Sequence, residues 1–143
     1  MITIIAVGAV KDSNISSLIH EYMKRMRRVT IKTVKEEKNQ NSDIVKKKEG
    51  ERLLANIKDS FVVALSEEGK TMNSYAFAEL IKKQPDITFL IGNAFGLSDE
   101  VKKKSNLLLS LSPLTFPHEM AQLILVEQIY RAETINAGRS YQK

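Results

Sequence analysis

Three short stretches are apolar almost throughout and rich in Ile, Val and Phe: residues 2–7 (ITIIAV), 61–65 (FVVAL) and 87–91 (ITFLI). A strand with one wet face alternates apolar and polar residues. A run that does not alternate has to be buried on both sides, as in a parallel sheet covered by helices. The segments between these runs carry helical spacing. Ile15, Leu18, Ile19, Tyr22, Met23 and Met26 recur on one helix face, with Lys24, Arg25, Arg27 and Arg28 off it. Residues 74–83 place Phe77, Leu80 and Ile81 inward and are closed off by Pro85. The expected fold class is therefore α/β: a single domain, residues 1–143, with a mostly parallel sheet and helices on both faces.

The remaining elements follow the same logic. Residues 29–34 (VTIKTV) alternate as a strand with one wet face, and residues 107–111 read as a fifth strand. Asn14 is a plausible cap for the first helix. Residues 35–48, polar and charged, read as a mobile loop running into a helix that packs through Leu53, Leu54 and Ile57. Glu67, Glu68, Gly69 and Lys70 read as a turn, with Gly69 free to take positive φ. A short helix is expected over residues 99–104. The last helix spans about residues 119–137, with Gly138 as its stop.

Composition narrows the function. The chain has no cysteine, which excludes disulfides, cysteine nucleophiles and thiolate metal sites. His118 and His20 stand far apart, so a metal site is not expected and a Ser–His–Asp triad has little to build on. The apolar runs are too short to span a bilayer, so no membrane partner is expected. The start MITIIAVGAV reads as a strand and not as a leader peptide, which fits a cytoplasmic protein. A net charge of +5 favours polyanionic partners, or simply aids solubility. The basic clusters at residues 24–28, 46–48 and 102–104 would make one phosphate-binding footprint if the fold brought them to one side.

Three places could carry chemistry. The first is Gly92–Asn93–Ala94–Phe95–Gly96, directly after a buried strand. Its spacing is neither a dinucleotide fingerprint nor a P-loop, so it is either a tight turn or a ligand loop at a carboxyl strand edge. The second is the stretch from Leu111 to His118, stiffened by Pro113 and Pro117, at the same sheet edge. The third is the last helix, where Glu127 and Arg131 stand i and i+4 and Gln128 and Tyr130 lie beside them.

In this order, ITIIAVG, EYMKR, KEGERLL at residues 48–54, VVALSEEGK, FLIG-x-x-x-GL, SLSPLTFPH and EQIYRA at residues 127–132 resemble one family over essentially the full length. It is the RlmH-type ribosomal large-subunit pseudouridine N3-methyltransferases of the SPOUT superfamily. The resemblance implies a carboxyl-terminal trefoil knot and a homodimer. It implies S-adenosylmethionine as methyl donor, held by Leu65, Gly92, Leu111, Ser112, Pro113, Leu114, Thr115 and Phe116. It implies methylation of N3 of a pseudouridine in large-subunit (23S) ribosomal RNA on the assembled ribosome. Glu127, Arg131 and Tyr141 then fall on the substrate side: Arg131 for a phosphate or base edge, Tyr141 for stacking, Glu127 as a candidate base. The chain departs from the family pattern at Asn93, where a second glycine is usual, at Gln122 in place of an arginine, and at Gln142 in a tail that ends Tyr141–Gln142–Lys143. These changes keep open a second reading, an RNA- or ribosome-binding homologue with altered substrate or reduced transfer. A tRNA substrate and a phosphate-binding α/β protein are further alternatives.

Overall fold

The computed structural model describes residues 1–142. Strands and helices alternate along the chain: β1 (Ile2–Val7), α1 (Ser13–Met23), β2 (Val29–Val34), α2 (Ser42–Ala55), β3 (Phe61–Lys70), α3 (Ser74–Lys83), β4 (Ile87–Ile91), α4 (Asp99–Lys104), β5 (Leu107–Leu109) and α5 (His118–Asn136). The strands form one sheet in the order β2-β1-β4-β3-β5, and every pairing is parallel. All carboxyl strand ends therefore lie at one edge. Among the described residues no helix is long and apolar enough to cross a membrane.

Successive side chains of a strand point to opposite faces, so each inner strand feeds two cores. Ile4, Ala6, Val63, Phe89 and Ile91 meet Ile19, Phe77, Leu125 and Ile129 in one core. Ile5, Val7, Val62, Ala64 and Leu90 meet Leu53 and Val101 in the other. Every residue of β4, flanked by β1 and β3, is buried. At the β2 edge only Val29 and Val34 are buried, and they enter opposite cores, so the single wet face expected from its alternation is not what forms: an edge strand with cover at its two ends exposes Thr30, Lys32 and Thr33 instead. Each fully buried Ile, Leu or Phe contributes roughly 1.5–3 kcal/mol relative to exposure.

Several expectations change. The cap of α1 is Asp12, whose carboxylate accepts from the Asn14 and Ile15 N–H groups at 2.9 and 3.0 Å. Asn14 lies inside the helix, where its side chain is past the position that reaches the free N–H groups. Leu18 is half exposed rather than packed, and Met26 is buried beyond the helix end. The stretch read as a mobile loop is half helix, because Asn41 caps α2 through the Asp43 and Ile44 N–H groups. Its remainder is tied down by Glu37, which pairs with Arg52 at 2.9 Å and Lys48 at 3.8 Å. Residues 67–70 are not a turn but the end of β3. Gly69 does not take positive φ. It is needed there because a Cβ would lie 2.6 Å from the Leu108 carbonyl carbon. β5 stops at Leu109, two residues early. Gly138, expected as the stop of α5, does take positive φ, as does Gly8 directly after β1.

Candidate active site

The loops after β3, β4 and β5 meet at the carboxyl edge of the sheet. They enclose a cleft of about 530 Å³ lined by Leu65, Gly92, Leu111, Ser112, Leu114, Thr115 and Phe116, together with Ser66, Glu67, Ile91, Asn93, Ala94, His118 and Ala121. Of the eight residues expected to hold a methyl donor, only Pro113 is not a lining residue; it lies within the same loop. The cleft falls in the size range of small-molecule sites.

Its walls are built by close backbone approach. Gly92 directly follows β4, and there an added Cβ would lie 2.8 Å from the Gly96 carbonyl carbon and 2.9 Å from its oxygen. The loop then turns back on itself: Gly96 N–H donates to the Asn93 carbonyl at 2.8 Å, and Gly96 has φ +79°. On the facing wall the Ser110 hydroxyl donates to the Ser112 carbonyl at 2.9 Å, and Leu114 N–H donates to the Ser112 hydroxyl at 3.0 Å. Leu114 and Phe95 are left exposed. The start of α5 is anchored by Glu119, which accepts from the Lys11 and Asp12 N–H groups at 3.2 and 3.1 Å. Those two bonds hold its carboxyl below the usual range. His118 opens α5 after Pro117, without a side-chain cap.

Glu127, Arg131 and Tyr141 come together, but away from that cleft. Arg131 Nε and Nη2 donate to Glu127 Oε1 at 3.0 and 2.5 Å, and the Tyr141 hydroxyl donates to the same oxygen at 3.1 Å. Gln128 Nε2 donates to Glu127 Oε2 at 2.9 Å, and Gln128 accepts from the Ser74 hydroxyl at 2.8 Å. Arg131 Nη1 donates to Gln142 Oε1 at 2.9 Å, and the guanidinium lies 4.9 Å from the centre of the Tyr141 ring. The Tyr22 hydroxyl, burial and Glu127 together push the Tyr141 phenol up, which keeps it protonated. Arg131 is raised, first by its bonds to Glu127. A pair that i, i+4 spacing alone leaves as an ordinary surface contact is thus half-buried and networked. The two sites are joined by a second cleft of about 460 Å³ whose lining includes Asn73, Ser74, Gln128 and Gln142. Leu109, Ser110 and Leu111 line both clefts.

The basic clusters do not form one footprint. Lys24–Arg28 follow α1, which packs with α5, whereas Lys46–Lys48 and Lys102–Lys104 lie on α2 and α4, which pack together on the opposite face. Lys46, Lys48, Lys102 and Lys104 each pair with a carboxylate. Gln122 is buried in α5. Lys143, the tail's final residue, lies outside the described residues.

Sequence reasoning missed Glu49. It sits beside a run of three lysines and reads as solvated, yet it is 2% exposed. Its Oε2 accepts from Glu37 N–H at 3.0 Å, while Oε1 has no hydrogen-bond partner among the described residues. The one available signal was Gly50, whose added Cβ would lie 2.7 Å from Ser98 Oγ and which therefore marks tight packing of α2 on the start of α4. Burial, above all, pushes the Glu49 carboxyl up. The Glu37 N–H, the Asn93 amide and Arg52 pull it down, and Glu36 pushes it up further. A carboxyl with a folded pKa above its ordinary value of 4.5 costs stability once pH exceeds that value, and the cost grows until the folded pKa is passed. Glu49→Gln is therefore expected to raise the melting temperature at neutral pH, with the gain fading as pH falls to about 4. Calorimetry across that range checks it; a gain that does not change with pH would contradict it.

The family model described as "Predicted SPOUT methyltransferase" matches residues 1–142. A protein of Acholeplasma laidlawii named ribosomal RNA large subunit methyltransferase H is 43% identical over 148 aligned positions, covering 99% of each chain. One of Thermoanaerobacter pseudethanolicus named ribosomal RNA large subunit methyltransferase H 1 is 44% identical, covering 92% of this chain and 94% of its own. Among solved structures, a putative RNA methyltransferase from Bacillus anthracis superposes with a TM-score of 0.61 at 13% identity, covering 94% of this chain and 95% of its own, which is a likeness of fold.

Proposed function

This chain belongs to the SPOUT methyltransferase family, and from that premise we propose that it methylates large-subunit ribosomal RNA with S-adenosylmethionine as donor. The position modified is N3 of a pseudouridine, on the assembled ribosome in the cytoplasm. The enzyme acts as a homodimer of single-domain subunits whose carboxyl-terminal part is threaded into the family's trefoil knot. The observation that carries this reading is the end-to-end match to relatives named ribosomal RNA large subunit methyltransferase H.

The geometry supports a division of labour. The cleft residues Leu65, Gly92, Leu111, Ser112, Leu114, Thr115 and Phe116, with Pro113 stiffening their loop, hold the donor. Their fit rests on apolar walls and on a backbone left open at Gly92, where a side chain would close the loop against itself. Bound there, S-adenosylmethionine supplies an electrophilic sulfonium methyl. The chain's own residues align the base for in-line attack and exclude water. Arg131 presents a guanidinium to phosphate or to the edge of the base. Tyr141 offers its ring for stacking, and Glu127 holds both in place. The N3 proton has to leave as the nitrogen attacks. Glu127 Oε1 already accepts bonds from Arg131 and Tyr141, so its part is to position these groups rather than to act as a free base.

The test uses donor with a labelled methyl group, incubated with ribosomes lacking the modification and, separately, with protein-free ribosomal RNA. Label is expected in large-subunit RNA of the ribosomes only. A protein that binds donor yet labels neither would support the binding homologue suggested by Asn93, Gln122 and Gln142.

A further inference from the structure

The residue that stands where the family usually has a second glycine is not idle. Asn93 Nδ2 donates to Glu36 Oε2 at 3.1 Å. Glu36 belongs to the segment between β2 and α2 and is itself 3.5 Å from Lys11 Nζ. One side chain therefore ties the loop after β4 to the segment between β2 and α2. Its own carbonyl closes the Gly96 turn, so whatever fixes Asn93 fixes the turn. The other end of the loop is also seated on α2, where Gly50 lets Ser98 and Val101 approach.

We propose that Asn93, clamped by Glu36, is a positioning residue that sets residues 92–97 in the shape the donor requires. This rests on the reading of the cleft as the donor site. A loop with a third glycine at position 93 would be freer to sample other conformations, and binding would carry the cost of ordering it. Here a side-chain amide bonded to a carboxylate settles the loop before the donor arrives. The bond is charge-assisted, and it is the largest influence holding the Glu36 carboxyl below its ordinary range.

Donor affinity is measured by titration calorimetry for Asn93→Ala, Glu36→Ala and the double variant, and hydrogen exchange at the Gly96 amide is measured without donor. Loss of one hydrogen bond to a charged group predicts about a tenfold weaker donor Kd in each single variant. The double variant is expected to be no weaker than either single, because both remove the same contact. Donor KM should rise, with kcat and the KM for ribosomes little changed, and Gly96 exchange should quicken. Single variants that bind within twofold of the parent with unchanged exchange would overturn the proposal, as would additive losses. If the unaltered protein binds no S-adenosylmethionine, the functional reading fails instead, and the exchange rates alone then decide whether Asn93 sets the loop.

Discussion

Replacing Gly92 with alanine is expected to weaken binding of S-adenosylmethionine by roughly tenfold to a hundredfold while the protein still folds. The added methyl would sit 2.8 Å from the Gly96 carbonyl carbon, 2.9 Å from its oxygen and 3.1 Å from Leu97 Cδ2. The first two are backbone atoms and cannot rotate aside. The loop has to swing off the end of β4, which moves one wall of the cleft proposed to hold the donor. Overpacking of this kind costs roughly 1–3 kcal/mol. Most of that falls on the bound state, because the loop can relax outward when the cleft is empty. Titration calorimetry with a parallel melting curve checks it. A loss below about tenfold would mean that this loop does not shape the donor site.

Arg131→Ala is expected to lower methyl transfer to ribosomes by about a hundredfold and to leave donor affinity nearly unchanged. Arg131 spans the network: it bonds Glu127 through two nitrogens, reaches Gln142 and lies over the Tyr141 ring. It does not line the donor cleft. Without it the half-buried Glu127 loses its cation and the tail loses its anchor on α5. Arg131→Lys should recover little, since a single ammonium cannot reproduce the fork that holds Glu127 and Gln142 together. Single-turnover transfer with saturating donor separates chemistry from binding. Equal losses in donor Kd and in transfer would show that the network acts on the donor cleft, through Ser110 and Leu111, and not on the RNA.

The strands and helices were largely legible because burial on two faces leaves a plain mark on sequence. β4 has to be almost wholly apolar, and it is, with Thr88 as its one polar residue. Elements also announced themselves by punctuation, as with Gly8 and Gly138. What was not legible depends on partners distant in sequence. Gly69 looked like a turn glycine because nothing local shows that the Leu108 backbone presses against it. Glu49 carries no local mark of burial, because its cover comes from other elements. The Glu127–Arg131 pair looked ordinary because its i, i+4 spacing says nothing about Tyr141 and Gln142, which return only after the chain reverses at Gly138. The cleft residues were reached through resemblance, and the parallel sheet explains why they converge: the loops that carry them all leave the same edge.

The packing of α5 on α1 and α3 also has a consequence during synthesis. The first helix emerges from the ribosome early, with Ile15, Ile19 and Tyr22 needing cover, and that cover is made from residues 118–136. At translation rates of about 5–20 residues per second, roughly 5–20 seconds pass before the covering helix exists. β1 likewise waits for β4 to be made before its second edge is paired. A nascent chain stalled anywhere before α5 is thus a sticky fragment without a donor cleft, not a smaller enzyme. Completion, folding and competence arrive together, and the burden of keeping the unfinished chain from aggregating falls on whatever chaperone meets it at the tunnel exit.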